Sequence, residues 1–149
     1  MSQVAVEAIP GEAVVTPCFV PQRRSRPKNV KGWTPKYRMG CGSLYITVNW
    51  DENGEIYEVF ISLGKAGHCT LAQGQAIARS VSIALQYGIP VSVIIKQFSG
   101  IQCPSQAWQD GQHIYSCADA IAKALRATHE MLHPSPPEDE QITNPGPQS

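Results

Sequence analysis

SLYITVNWDENGEIYEVFISL, residues 43–63, alternates Leu44, Ile46, Val48 and Trp50 against Ser43, Tyr45, Thr47 and Asn49, then resumes a β-branched alternation beyond Asn53 and Gly54. A period of two arises when one face of a strand is buried and the other meets water. Asn53 and Gly54 both tolerate the positive φ of a tight turn, so the stretch predicts a β-hairpin. Immediately upstream, TPKYRM (34–39) sets Tyr37 and Met39 on one face and supplies a candidate third strand.

Downstream the period changes. After the short GKAGHCT loop, Leu71, Ile77, Val81, Ala84 and Leu85 recur at helical spacing until Gly88, a residue suited to helix termination. Pro90 is fitted to open a second helix, with Val91, Ile94, Ile95 and Phe98 toward the core and Gly100 ending it. IYSCADAIAKAL (114–125) predicts a third helix starting near Ser116, with Ala120, Ile121, Ala124 and Leu125 as its apolar stripe. Ser116 has the chemistry of a helix cap, and Asp119 favours the positive end of the helix dipole. The expected fold class is α+β: a small antiparallel sheet of two to three strands, with a central hairpin, covered by about three helices.

The flanks differ in composition. Residues 1–28 are proline-punctuated, sustain no period and read as an extended arm; 29–132 form the compact domain; 133–149, proline-rich and acidic, lack the apolar surface to offset ordering and read as a disordered tail. The 149 residues carry no net charge, but seven of the twelve basic residues fall between Arg23 and Arg38. A solvated basic arm is one reading of that cluster. A binding module for nucleic acid or a protein partner, with Trp33 and Tyr37 interleaved among the charges, is the other. No apolar run is long enough to cross a bilayer and the first residues lack a leader pattern, so no membrane partner and a cytoplasmic location are expected.

A reducing compartment disfavours disulfides, which turns attention to what five cysteines do instead. Cys41, Cys69, Cys103 and Cys117 each stand at an element boundary, in the contexts GCG, GHC, CPS and SCAD. A metal site built from distant segments needs that placement, with glycines that let backbones approach. The spacings contain no Cys-x-x-Cys pair, so this is not a zinc ribbon or finger; burial as small apolar residues is the competing reading. A third reading is redox: a thiol at a helix N-terminus has its thiolate stabilised, which suits Cys117, although the nearby Asp119 acts against it. Cys18, in the arm, is the least suited to ligation. His68 beside Cys69 and His113 before Cys117 are the candidate nitrogen ligands, with solvent-facing loop positions as the alternative. GKAG lacks the full phosphate-loop spacing, and no histidine or carboxylate is placed to activate Ser116.

Taken together, GCGSLYITVNWDENGEIYEVFISLGKAGHC, GIQCPS and SCADAIAKAL, with the lead-in RPKNVKGWT, resemble the TSCPD domain, found near the C-terminus of adenosylcobalamin-dependent ribonucleotide reductases and in small stand-alone proteins. Two departures stand out: the naming motif reads Tyr115, Ser116, Cys117, Ala118, Asp119 here, and His68 stands where many relatives have glycine. The resemblance implies a link to deoxyribonucleotide synthesis, with Cys41, Cys69, Cys103 and Cys117 binding zinc or an iron–sulfur cluster. In that family catalysis belongs to a large barrel with its own cysteines and cobalamin. This chain is too short to hold one, so it is not expected to bind cobalamin or act as a reductase alone. The partner implied is a ribonucleotide reductase catalytic subunit; the sequence leaves open whether the domain is a homo-oligomer.

Overall fold

In the computed structural model, which describes residues 21–64 and 68–134, the predicted hairpin is the centre of the molecule. The first twenty residues of the arm with Cys18, the 65–67 part of the GKAG loop and the tail from 135 onward lie outside the described residues. Strands β1 (Lys31–Trp33), β2 (Lys36–Met39), β3 (Gly42–Trp50) and β4 (Ile56–Leu63) form one antiparallel sheet. β1 and β2 lie end to end along one edge of β3, and β4 pairs with the other.

The β3–β4 turn is held by Asp51, whose Oδ1 accepts from the amides of Asn53 (2.9 Å) and Glu55 (3.0 Å). Gly54 alone takes a positive φ, 82°. Asn53 does not use the positive φ it tolerates, because the aspartate caps the turn and one residue suffices to reverse the chain.

Alternation becomes two distinct faces. Leu44, Ile46 and Val48 are fully buried, and Val59 and Ile61 join them from β4; burying each such side chain contributes about 1.5–3 kcal/mol. All the helices pack on this side. Helix α1 (His68–Gln86) lies on β4, α3 (Cys117–Leu132) on β3, and α2 (Val91–Phe98) against α3. Gly74 permits the first of these contacts, since an added Cβ would come within 3.3 Å of the Ile61 side chain. Gly88 (φ 84°) ends α1 and Gly100 (φ 79°) follows α2, as their sequence positions predict. The α+β fold class is therefore the observed one.

Three strands went unpredicted. β1 contains a glycine, and β5 (Ala107–Gln109) and β6 (Gln112–Ile114) form a hairpin inside what reads as a loop. Asp110 and Gly111 turn that hairpin with φ values of 50° and 75°. Gln109 ties it to the sheet: its Oε1 accepts from the Arg38 amide at 2.6 Å and its Nε2 donates to the Lys36 carbonyl at 3.0 Å.

Most residues in the described part of the arm are exposed, but three of its arginines are docked on the domain. Arg23 Nε donates to Gln86 Oε1 at 2.7 Å, and Arg24 donates to the Leu85 and Ile56 carbonyls. Tyr57 donates its hydroxyl proton to the Arg24 carbonyl (2.9 Å), and Arg26 forms a paired contact with Glu58. Free carbonyls at the end of α1 and one buried carboxylate account for this docking; a charge cluster gives no sign of such partners.

Candidate thiol site

Three of the four boundary cysteines are drawn into one neighbourhood by backbone contacts among their segments. Cys41 sits in the turn between β2 and β3. Its neighbour Gly40 donates to the Ser105 carbonyl at 3.0 Å and packs so closely that an added Cβ would lie 3.3 Å from that residue's backbone. This fastens the GCG turn to the loop carrying Cys103. Cys103 in turn donates its amide to the Tyr115 carbonyl (2.9 Å), beside the start of α3 where Cys117 is the first helical residue.

Ser116 caps α3, its Oγ accepting from the Asp119 amide at 3.2 Å, as its position predicts. Asp119 does more than face the helix dipole. Only 1% exposed, it accepts from the Gly100 amide (2.9 Å) through Oδ1, and from the Tyr115 amide (3.1 Å) and Lys123 through Oδ2. One carboxylate thereby clamps both ends of the segment that carries Cys103 and the second hairpin. Burial works against its ionised form, but the Gly100 amide, Lys123 and the Tyr115 amide outweigh burial and hold the carboxyl below the usual aspartate range. A serine cap followed three residues later by an acid is close to a capping box, but that pattern points to neither the Gly100 nor the Tyr115 amide.

Cys41, Cys103 and Cys117 are half-buried against the core. Burial pushes the Cys117 thiol up, and the neighbouring Cys41 and Cys103 push it the same way, outweighing its helix-terminal backbone amide. The low-pKa thiol of the redox reading is thus corrected: desolvation and two sulfur neighbours exceed the effect of the helix end. Cys69 is exposed in the first turn of α1 and is not among the groups acting on Cys117. The segment before it is linked to the others at Gly64, whose amide donates to the Ser43 carbonyl at 2.9 Å.

The histidines divide. The side chain of His68 lies outside the described residues. His113 is not on a loop: it belongs to β6, stacked on Trp108 with ring centroids 4.7 Å apart and tilted against Tyr115 at 4.3 Å. Of the aromatic residues assigned to the basic arm, Tyr37 faces the helix side opposite Leu44, where burial and, secondarily, the Asp119 charge push its hydroxyl up to about 12. Trp33 lies opposite Val48 on that same side.

Sulfur donors suit thiophilic ions such as zinc and iron in clusters. In donor chemistry the gathered thiols fit such an ion, while among the described residues no three Cys, His, Asp or Glu side chains come close enough together to hold one. Among the described residues, too, no helix is long and apolar enough to cross a membrane.

A small α+β domain whose irregular connections bring cysteines together is the class these features define. The chain belongs to the TSCPD domain family, which it matches over residues 18–129. It is 30% identical over 127 residues to a vitamin B12-dependent ribonucleotide reductase of Rhodopirellula baltica, covering 83% of this chain and 12% of that protein. To the vitamin B12-dependent ribonucleotide reductase of Streptomyces clavuligerus it is 29% identical over 108 residues, 72% of this chain and 11% of the relative. The chain therefore spans about a tenth of the curated relatives it matches. No solved structure gives a significant match.

Proposed function

We propose that the chain is an accessory domain of vitamin B12-dependent ribonucleotide reduction, acting beside a reductase catalytic subunit in deoxyribonucleotide synthesis. In this reading it is stabilised by zinc or an iron–sulfur cluster held by Cys41, Cys69, Cys103 and Cys117. What supports the metal assignment is that Cys41 and Cys103, from segments far apart in sequence, both act on the half-buried Cys117 thiol. Cys69 is the fourth donor, from the first turn of α1. Bound metal would supply cross-linking of these segments: four thiolates fill a tetrahedral zinc and leave no position for a reacting water, so the role is structural. Iron in place of zinc would add electron transfer.

Asp119, Gly40 and Ser116 hold the sulfur-bearing segments in place, while Lys123 keeps the clamp ionised. The test is elemental analysis of anaerobically purified full chain. About one equivalent of zinc, or the iron of one cluster, per chain, lost when Cys41, Cys103 or Cys117 is changed to serine, supports the site. Metal-free protein whose thermal unfolding is unmoved by chelator overturns it. Cys69→Ser sharpens the ligand set, with reduced metal occupancy expected.

A further inference from the structure

The face of the sheet opposite the helices is covered at one end, where Arg26 of the arm packs on Glu58, and is open at Lys36, Arg38, Phe60 and Ser62, and its composition is specific. Register places Ser43, Tyr45, Thr47 and Asn49 of β3, Lys36 and Arg38 of β2, and Glu58, Phe60 and Ser62 of β4 on it together. Phe60 is 53% exposed in mid-strand, and Tyr45 is partly buried with the Lys36 ammonium 5.7 Å from its ring centre. Phe60 pairs directly with Thr47 and lies diagonal to Tyr45, a relation that sets two Cα atoms about 7–8 Å apart. Among the described residues the one carboxylate on the face, Glu58, is already neutralised by Arg26 and bonded to Asn49. Among the described residues neither Lys36 nor Arg38 is paired with an acid.

From this arrangement we infer that the open sheet face binds single-stranded nucleic acid, with two successive bases stacking on Tyr45 and Phe60 and Lys36 and Arg38 meeting the phosphates. Stacking on an aromatic ring demands a base free of its own helical stack, which selects single strands over duplexes. Displacing Lys36 from the Tyr45 ring frees its charge for the backbone. Charge distribution across the chain agrees: all twelve basic residues lie between positions 23 and 126, whereas five of the twelve acidic ones, Glu7, Glu12, Glu138, Asp139 and Glu140, lie in the flanks. A second copy is the poorer occupant, because a two-fold contact would set this basic patch against itself. Hydroxyl groups beside the rings, from Thr47 and Ser62, also distinguish the face from a lipid-binding surface. Tyr45, Phe60, Lys36 and Arg38 are not part of the thiol site, so metal analysis and this proposal stand or fall separately.

The experiment is fluorescence anisotropy of a labelled short oligothymidylate titrated with the full chain at about 50 mM salt and upward, alongside a duplex of equal length. Saturable binding that weakens with salt and exceeds duplex binding is expected. Tyr45→Ala and Phe60→Ala should each raise Kd roughly 5- to 100-fold without changing the salt slope. Lys36→Ala with Arg38→Ala should flatten that slope, and Trp108→Ala, which removes an exposed ring from the other hairpin, should change nothing. Both aromatic positions face solvent, and circular dichroism checks that the variants keep the fold. Absence of binding at low salt, equal affinity for duplex, or binding that survives loss of both rings would overturn the inference. So would sedimentation showing a dimer that Phe60→Ala dissociates while oligothymidylate affinity stays unmoved.

Discussion

The β3–β4 hairpin and the segment from Gly100 to Ser116 sit on the same core yet are held together by different means. In the hairpin, order is distributed: seven register pairs carry it, and each inward side chain adds its own burial. In the second region there is little regular structure, and order is concentrated in one buried carboxylate that binds two amides and a lysine. A repeated pattern tolerates a single loss. A clamp does not.

The comparison breaks most visibly at Asp119. Asp119→Ala leaves the Gly100 and Tyr115 amides without their acceptor and Lys123 without its partner, and should cost about 3 kcal/mol in urea unfolding. The metal-free variant should also alkylate faster at Cys103 and Cys117, because the clamp orders both. Ile46→Val, which trims the hairpin's core, should cost only about 1 kcal/mol and leave thiol reactivity unchanged. Equal thiol reactivity in the two variants would show that the clamp does not position the sulfurs.

Acid should act more gently on the same contrast. Asp119 and Glu58 are both held below their usual range, the latter first by Arg26. Near about pH 4 the unfolded chain therefore binds more protons than the folded one, and stability rises with pH. Their contribution is full above the unfolded values and is lost as pH falls through the folded ones. Urea midpoints measured from neutral pH downward should show this decline. Asp119→Asn should flatten it more than Glu58→Gln, since Arg26, 52% exposed, screens the second pair.

The smallest effect is kinetic and leaves stability untouched. In metal-free reduced wild type near neutral pH, Cys69 should alkylate before Cys117, because one is exposed and the other is half-buried with its thiol pushed up. Mass mapping of modified peptides reads the order, and the reverse order would revive a reactive-thiol role for Cys117.

The same division explains what the sequence made legible. Alternation in residues 43–63 and helical spacing in α1, α2 and α3 are periodic, so composition at fixed intervals announces them. Gly40 and Ser116 were also readable, because a close approach and a helix cap each demand a particular residue type. The clamp at Asp119 was not, since its partners Gly100 and Tyr115 are backbone amides, and any residue but proline offers one. β5 and β6 were hidden for a related reason: three-residue strands are too short to establish a period. The docked arginines show the same limit, because carbonyls at the end of α1 leave no mark in composition.

Gln109 carries a consequence for how copies of this chain behave in a crowded solution. A sheet margin with an idle donor and acceptor is an invitation to any extended polypeptide, including a sibling molecule still folding. By occupying the Arg38 amide and the Lys36 carbonyl with one side-chain amide, the chain plugs that margin from within. Solubility at this border thus depends on a residue five elements further along the polymer, and Gln109→Ala would be expected to show its defect first as aggregation during refolding.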